Sequence, residues 1–298
     1  MKIFSCLLKG KPIVGIRISE KSFNLSKILQ SHIAPKLPDA VASDLKSLLE
    51  NGILAPTVFA KLDKLFKAGK LSKYAISEKS VKYLPPVKNP SKIIALGRNY
   101  AAHAKEGGLP VPDEPIIFDK LVSSLIGHKE NIVIPRWVKT RIDHEVELAV
   151  VIGKKAKYVT AEKAYDYVFG YTIVNDISAR DMQTDDLEKS LPWMRSKSFD
   201  TFTPAGPYVV PKQFITDPHK LVISLSVNKE VRQNSMTSYL IFSIPQVIEF
   251  ITKHFTLLPG DIISTGTPEG ISSIKEGDLV EATVGGIGTL INPVVREK

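Results

Sequence analysis

The chain of 298 residues is predicted to be an α+β, β-rich protein: a small N-terminal α/β domain, residues 1–84, then a larger strand-dominated domain, residues 85–298. Three observations carry that prediction. Two apolar or alternating runs open the chain on either side of Lys9-Gly10-Lys11. Helical stripes follow them, and beyond a proline-rich stretch the pattern turns to short β-type runs punctuated by Gly and Pro.

Residues 2–8 and 12–18 read as a β-hairpin closed by the Lys-Gly-Lys turn. A helix is expected from about Asp39, with Val41, Leu45, Leu48 and Leu49 on one stripe and Asn51-Gly52 as its stop. A second follows Pro56, with Val58, Leu62, Leu65 and Phe66 inward and Gly69 past its end. Tyr83-Leu84-Pro85-Pro86-Val87-Lys88-Asn89-Pro90 is the candidate linker. Beyond it, strands are expected over 93–96, 116–118, 148–152, 168–174, 208–210, 221–227, 261–265 and 279–284. Helices are expected over 100–106, 161–167, 182–190 and 244–253. The second part therefore reads as a folded-over sheet or sandwich with a few helices.

Composition narrows the function classes. The chain is 43% hydrophobic and 24% charged, and no apolar run approaches the ~20 residues that cross a bilayer. The run from Met1 to Leu8 is too short for a signal peptide and no small-residue cleavage site follows it. Cys6 is the only cysteine, which rules out an intramolecular disulfide and cysteine zinc sites. A cytoplasmic enzyme with no membrane partner is the expectation. The net charge of +9 raises nucleic acid as a ligand, but nine lysines against Asp63 and Glu78 between Lys61 and Lys92 account for +7 of it. That segment has no arginine and no interleaved aromatic run to read bases, so a solvated helix face is expected and no nucleic-acid partner. Abundant Lys and Glu with few Gln also suit a thermophile.

The chemistry is expected around Asp143-His144-Glu145-Val146-Glu147-Leu148. On a strand, residues two apart share a face, so Glu145 and Glu147 project together while Val146, Leu148, Val150 and Ile152 face the core. Two adjacent carboxylates repel unless one is protonated or a cation lies between them. A second apolar run, 171–175, ends on Asp176. Three oxygen ligands without cysteine or a histidine pair favour Mg²⁺ or Mn²⁺ over Zn²⁺. An isolated E-x-E is most often only the exposed face of a strand, so its company decides.

That company is specific. Gly97-Arg98-Asn99-Tyr100-Ala101-Ala102-His103 precedes Phe118-Asp119-Lys120, and the E-x-E strand precedes Asn175-Asp176-Ile177-Ser178-Ala179-Arg180-Asp181. Then come Lys197-Ser198-Phe199-Asp200-Thr201-Phe202, Pro204-Ala205-Gly206-Pro207 and Thr265-Gly266-Thr267-Pro268. In this order and spacing the set resembles the fumarylacetoacetate hydrolase family, over about residues 89 to 298. The resemblance implies a mixed β-sandwich roll, assembled as a dimer or tetramer, with its site at the mouth of the roll.

It also implies roles. Glu145, Glu147 and Asp176 match the family's metal ligands, Mg²⁺ with Mn²⁺ as the alternative. Lys197 matches a lysine that reaches the substrate near the metal, and His103 and Glu106 a dyad that activates water in the hydrolases. Their spacing of three places both on one helical face. Arg98, Lys120, Arg180, Gln183, Ser198 and Thr267 are the expected substrate-contacting residues, with Lys120 equally readable as an ion-pair partner of the carboxylates. Asp143 reads as a strand-edge charge ahead of the alternative, an acceptor that supports a site residue, and His128, His219 and His254 as structural or exposed. Trp193 is as readily a packing residue as a pocket wall.

Within the family, the N-terminal unit, the length and the G-R-N-Y and D-H-E-V-E variants resemble the 2-keto-3-deoxy-D-arabinonate dehydratases of archaeal pentose oxidation. The implied reaction is a hydro-lyase step on a small 2-oxo sugar acid. Lys197 or Glu106 removes a C3 proton to give a metal-stabilised enolate, the C4 hydroxyl leaves, and tautomerisation gives 2,5-dioxopentanoate. Acylpyruvate hydrolysis and oxaloacetate decarboxylation are the family's alternatives from the same enolate.

Overall fold

The computed structural model describes residues 1–298. Five strands come from the N-terminal segment: β1 (Lys2–Leu8), β2 (Lys11–Ile18), β3 (Lys21–Asn24), β4 (Ala75–Ile76) and β5 (Val81–Tyr83). The remainder contributes β6 (Ile93–Gly97), β7 (Ile116–Lys120), β8 (Leu125–Ile126), β9 (Ile132–Ile134), β10 (Ile142–Asp143), β11 (Val146–Ile152) and β12 (Val168–Asn175). They are followed by β13 (Ser178–Ala179), β14 (Thr203–Pro211), β15 (Val222–Val227), β16 (Glu230–Met236), β17 (Ile262–Ser264), β18 (Leu279–Val284) and β19 (Gly288–Arg296). The helices are α1 (Leu25–Ile28), α2 (Asp39–Ala42), α3 (Leu45–Glu50), α4 (Pro56–Lys67), α5 (Ala101–Glu106), α6 (Arg180–Glu188), α7 (Met194–Lys197) and α8 (Ile244–His254).

The opening hairpin forms because Lys9 and Gly10 both take positive φ, 50° and 77°, the backbone of a twist-matched two-residue turn. The single helix expected from Asp39 is two. Asp44 is extended (φ −134°, ψ 121°) and its carboxylate accepts from the Ser47 N–H at 2.9 Å, so a helix-start signal interrupts the apolar stripe. The segment 161–167 is a 3₁₀ stretch, not an α-helix. The proline-rich segment is packed down: Leu84 N–H donates to the Ser5 carbonyl, the Ser5 hydroxyl donates to the Pro86 carbonyl at 2.7 Å, and Val87 is buried.

The architecture is two main sheets and a two-stranded ribbon of β10 with β13, with helices packed on both sides of the large sheet. The large mixed sheet runs β4-β3-β2-β1-β14-β12-β11-β17-β6-β7, with β5 also on β1 and β8 on β14. The smaller one runs β16-β15-β18-β19-β9. The N-terminal hairpin thus joins the large sheet through β1 and β14, with Ile3 opposite Val209. One face of that sheet packs against the smaller sheet and α8 through Leu148, Val150, Ile173, Leu225, Ala282 and Ile248. The other is covered by α1, α3 and α4, which set Ile28, Leu48 and Leu62 against Ala149, Val151, Val174 and Val209. Strand β11 is therefore buried along all seven residues. A charged residue on such a strand needs partners, and that is what the site provides.

Candidate active site

The three carboxylates converge. Glu145 precedes β11, Glu147 is its second residue, and Asp176 follows β12 directly. Antiparallel pairing of β11 and β12 sets Val146 opposite Asn175, and the Asp176 N–H donates to the Glu145 carbonyl at 2.8 Å. One oxygen from each carboxylate lies within 4.8 Å of the other two, and all three residues are buried. Three hard anionic oxygens at that separation, with no sulfur or nitrogen among them, fit a hard divalent cation.

Each carboxylate is also held from behind. The Ser264 hydroxyl and Gly266 N–H donate to Glu147 Oε2 at 2.5 and 2.8 Å. Gly266 has a φ of +95°, and a Cβ there would lie 2.8 Å from that of Asn99, so only glycine lets this turn present its N–H. Ser178 Oγ donates to Glu145 Oε1 at 3.0 Å, and the Arg180 guanidinium donates to the same oxygen. Lys197, at the end of α7, donates to Glu145 Oε2 at 2.8 Å and Asp176 Oδ2 at 2.7 Å. Its ammonium also lies 5.4 Å from the centre of the Phe118 ring.

The electrostatics follow from this packing. Burial opposes ionisation of Glu145, but the Lys197 and Arg180 charges overcome it and hold its carboxyl well below the usual range. Burial likewise disfavours charge on Lys197, yet Asp176 and Glu145 keep its ammonium above its ordinary value. Glu147 has no cation of its own. Burial, then the charges of Asp176 and Glu145, push its carboxyl up to about 8. A cation seated against all three oxygens must displace that proton. Apparent Mg²⁺ affinity is therefore expected to rise by about tenfold per pH unit toward pH ~8 and to flatten above it. Calorimetric titration in two buffers of different ionisation heat would read one proton released per ion below pH ~8; no release would remove Glu147 from the ligand set.

A cavity of about 330 Å³ opens against Glu145 and Glu147, while Asp176 does not line it. Glu145, Glu147, Lys197 and Thr267 line its floor, Arg180, Gln183, His103 and Arg98 its sides, and Leu96, Phe118, Trp193 and Leu109 its apolar wall. Arg180, the first residue of α6, is aimed by Asp143, which accepts from its Nε at 2.8 Å and from Arg141 Nε at 2.6 Å. Asp143 is fully buried, so it is a support of the site and not a strand-edge charge. Trp193 packs edge-on to Phe118, at 5.3 Å between ring centres, and forms part of the cavity wall.

Three residues expected at the substrate lie elsewhere. Lys120 is buried behind the carboxylates, outside the cavity, where it donates to Asp176 and to the Phe202 carbonyl at 3.0 Å. It counters Asp176 from the protein side, the ion-pair alternative. Ser198 Oγ accepts from the Leu121 N–H at 3.1 Å and so fastens the loop after β7. Glu106 does not line the cavity: its carboxylate accepts from the Gly270 N–H at 3.0 Å and lies 3.3 Å from His103 Nδ1. It reaches the cavity only through His103. Thr267 does line it, but its hydroxyl proton goes to the Val146 carbonyl at 2.9 Å.

Sequence reasoning missed Gln233, Asn99 and the helix α7. Asn99 Nδ2 donates to the Thr265 carbonyl at 2.9 Å and ties α5 to the turn after β17. Its place in the G-R-N-Y motif was the available signal. Gln233 had none, since its strand alternates weakly and was not expected.

Known proteins share the sequence and fold of this chain. A family model described as fumarylacetoacetate (FAA) hydrolase C-terminal matches residues 92–295. The mitochondrial oxaloacetate tautomerase FAHD2A of Bos taurus is 44% identical over 222 residues, 72% of this chain and 70% of that protein. The crystal structure of a 5-carboxymethyl-2-hydroxymuconate delta-isomerase from Mycobacterium smegmatis superposes with a TM-score of 0.76 at 34% identity, over 100% of both chains. Maleylpyruvate hydrolase from Sphingobium sp. SYK-6, solved with manganese(II) and pyruvate, gives 0.81 at 27% identity, also over 100% of both. With two thirds of its length matched and the carboxylate trio in place, this chain is a member of the fumarylacetoacetate hydrolase family of enzymes.

Proposed function

We propose that the protein catalyses proton transfer at C3 of a small 2-oxo acid, in its simplest form the enol–keto tautomerisation of a 2-oxo dicarboxylate such as oxaloacetate. The observation that carries this reading is the Lys197 ammonium, held by Glu145 and Asp176 on the floor of the cavity. Glu145, Glu147 and Asp176 would hold Mg²⁺, or Mn²⁺ in its place. Such a cation supplies Lewis-acid polarisation of the 2-oxo group. Lys197 is charged in its present surroundings and so delivers a proton to C3 of an enol; it accepts one in the reverse direction only as the neutral amine. Arg180 and Gln183 offer donors to carboxylate and carbonyl oxygens, and His103, backed by Glu106, is in position to carry the second proton. The tautomerase and isomerase relatives support proton transfer as the shared chemistry.

The test is the decay of enol-oxaloacetate absorbance. Decay accelerated by the protein with Mg²⁺, abolished by chelator, is the expected result. No acceleration above the spontaneous rate would sink the tautomerase reading.

The second reading is the dehydratase one. It is favoured by Arg98, Gln183, Thr184 and Glu188 along the cavity, groups able to bond the hydroxyls of 2-keto-3-deoxy-D-arabinonate. Lys197, as the neutral amine, would then take the C3 proton while His103–Glu106 assists departure of the C4 hydroxyl. Incubation with that acid and Mg²⁺ would yield an aldehyde product. Pyruvate from acylpyruvates or oxaloacetate would instead mark hydrolysis or decarboxylation.

A further inference from the structure

The smaller sheet reaches the active site through one side chain. Strand β16 is its free edge, and six of its seven residues are at least partly exposed; Gln233 alone is buried, at 0% exposure. A primary amide in such a place is costly unless its donors and acceptor are met. Here all are met. Gln233 Oε1 accepts from the Val146 N–H and from His144 Nδ1, both at 3.1 Å, and Nε2 donates to Thr267 Oγ1 and the Pro268 carbonyl, both at 2.8 Å.

The neighbours settle which way the amide points. Reversed, its NH₂ would face the Val146 N–H and its oxygen the Pro268 carbonyl. His144 then carries its proton on Nδ1, and its Nε2 accepts from the Ser272 hydroxyl at 2.9 Å. The turn after Thr267 lies hard on the same strand: a Cβ on Gly270 would sit 2.2 Å from the Arg232 carbonyl oxygen.

Val146 is the residue between Glu145 and Glu147. Its N–H is held by Gln233, and its carbonyl is held by the Thr267 hydroxyl, which Gln233 also holds. One amide thus clamps both peptide units that separate the two carboxylates, together with the turn that lines the cavity floor. We propose that Gln233 is a positioning residue for both ends of the site. Its oxygen sets the spacing of the carboxylates that take the cation, and its NH₂ sets the Thr267 turn against the substrate.

Two variants divide these halves. Gln233→Leu removes both. Gln233→Glu, when ionised, keeps the acceptor toward Val146 and His144 and loses the donors to Thr267 and Pro268. Mn²⁺ alone is titrated calorimetrically, enol-oxaloacetate kinetics give KM and kcat, and thermal melting reports folding. The Leu variant is expected to bind Mn²⁺ about 10- to 100-fold more weakly, the scale of a lost support behind a metal ligand, with KM raised as well. The Glu variant is expected to keep Mn²⁺ affinity and raise KM by about tenfold. Folded variants with both constants unchanged, or with only the active fraction reduced, overturn the proposal. If the Leu variant does not fold, the Glu variant decides alone by the same split. The inference rests on the trio being a cation site. Failure of the parent chain to take up Mn²⁺ would overturn that reading, whereas uptake indifferent to position 233 overturns only the role of Gln233.

Discussion

Glu147→Gln is expected to bind Mg²⁺ or Mn²⁺ at least about a hundredfold more weakly than the parent and to lose turnover by about 10³-fold, with folding intact. The substitution is nearly isosteric, and an amide oxygen can still accept from Ser264 Oγ and the Gly266 N–H. What it removes is charge. In the metal-free protein that charge is a liability: burial and the neighbouring Asp176 and Glu145 hold Glu147 protonated up to about pH 8. A neutral glutamine relieves the repulsion at higher pH, so the melting temperature should stay level or rise while cation binding collapses. Opposite movement of stability and affinity separates a functional carboxylate from a structural one. Undiminished Mn²⁺ uptake in a calorimetric titration would end the case for this trio as ligands.

Lys197→Met should behave the other way. Turnover is expected to drop by about 10²- to 10⁴-fold, the range for a lost proton-transfer group. Cation affinity is kept or improved, because the ammonium no longer competes for Glu145 Oε2 and Asp176 Oδ2. Stability falls, since one member of a buried charge cluster is removed and the two carboxylates lose a counter-charge. Adding Mg²⁺ should then raise the melting temperature of the variant more than that of the parent. Unchanged kcat would show that Lys197 only balances charge.

The two outcomes are linked by the arrangement of cations around the trio. Lys120 braces Asp176 from the protein side, Arg180 braces Glu145, and Lys197 lies between them at the cavity. Only Lys197 of the two lysines can reach a ligand in the cavity, although in sequence both appear as lysines within motifs. That difference depends on which side of the carboxylates each strand or helix delivers its side chain.

Local pattern was enough for much of the rest. The hairpin turn, the start of α4 at Pro56, α8, and strands such as β6, β11, β12 and β18 are each written in periodicity and turn residues within a few positions of one another. The composition change at the prolines was visible as well, but not that the N-terminal hairpin extends the large sheet through β1 and β14 and shares one core with it. The break between α2 and α3 could be missed since Asp44 sits inside an apolar stripe that continues across it. Strand β16 could be missed because an exposed edge strand has little apolar alternation to display.

Sequence by itself determined the chemistry available: three carboxylates, a lysine, a His–Glu pair and an arginine, in motifs whose order marks the family. Tertiary structure alone decided which of them face one cavity. Hydrogen-bond register between β11 and β12 brings Asp176 beside Glu145, and burial on both faces of β11 forces each charge to find a partner. It also turned Lys120 and Ser198 away and brought in Gln233 from the second sheet, about ninety residues from the strand it clamps. Those are contacts between elements far apart in the chain, and no local periodicity carries them.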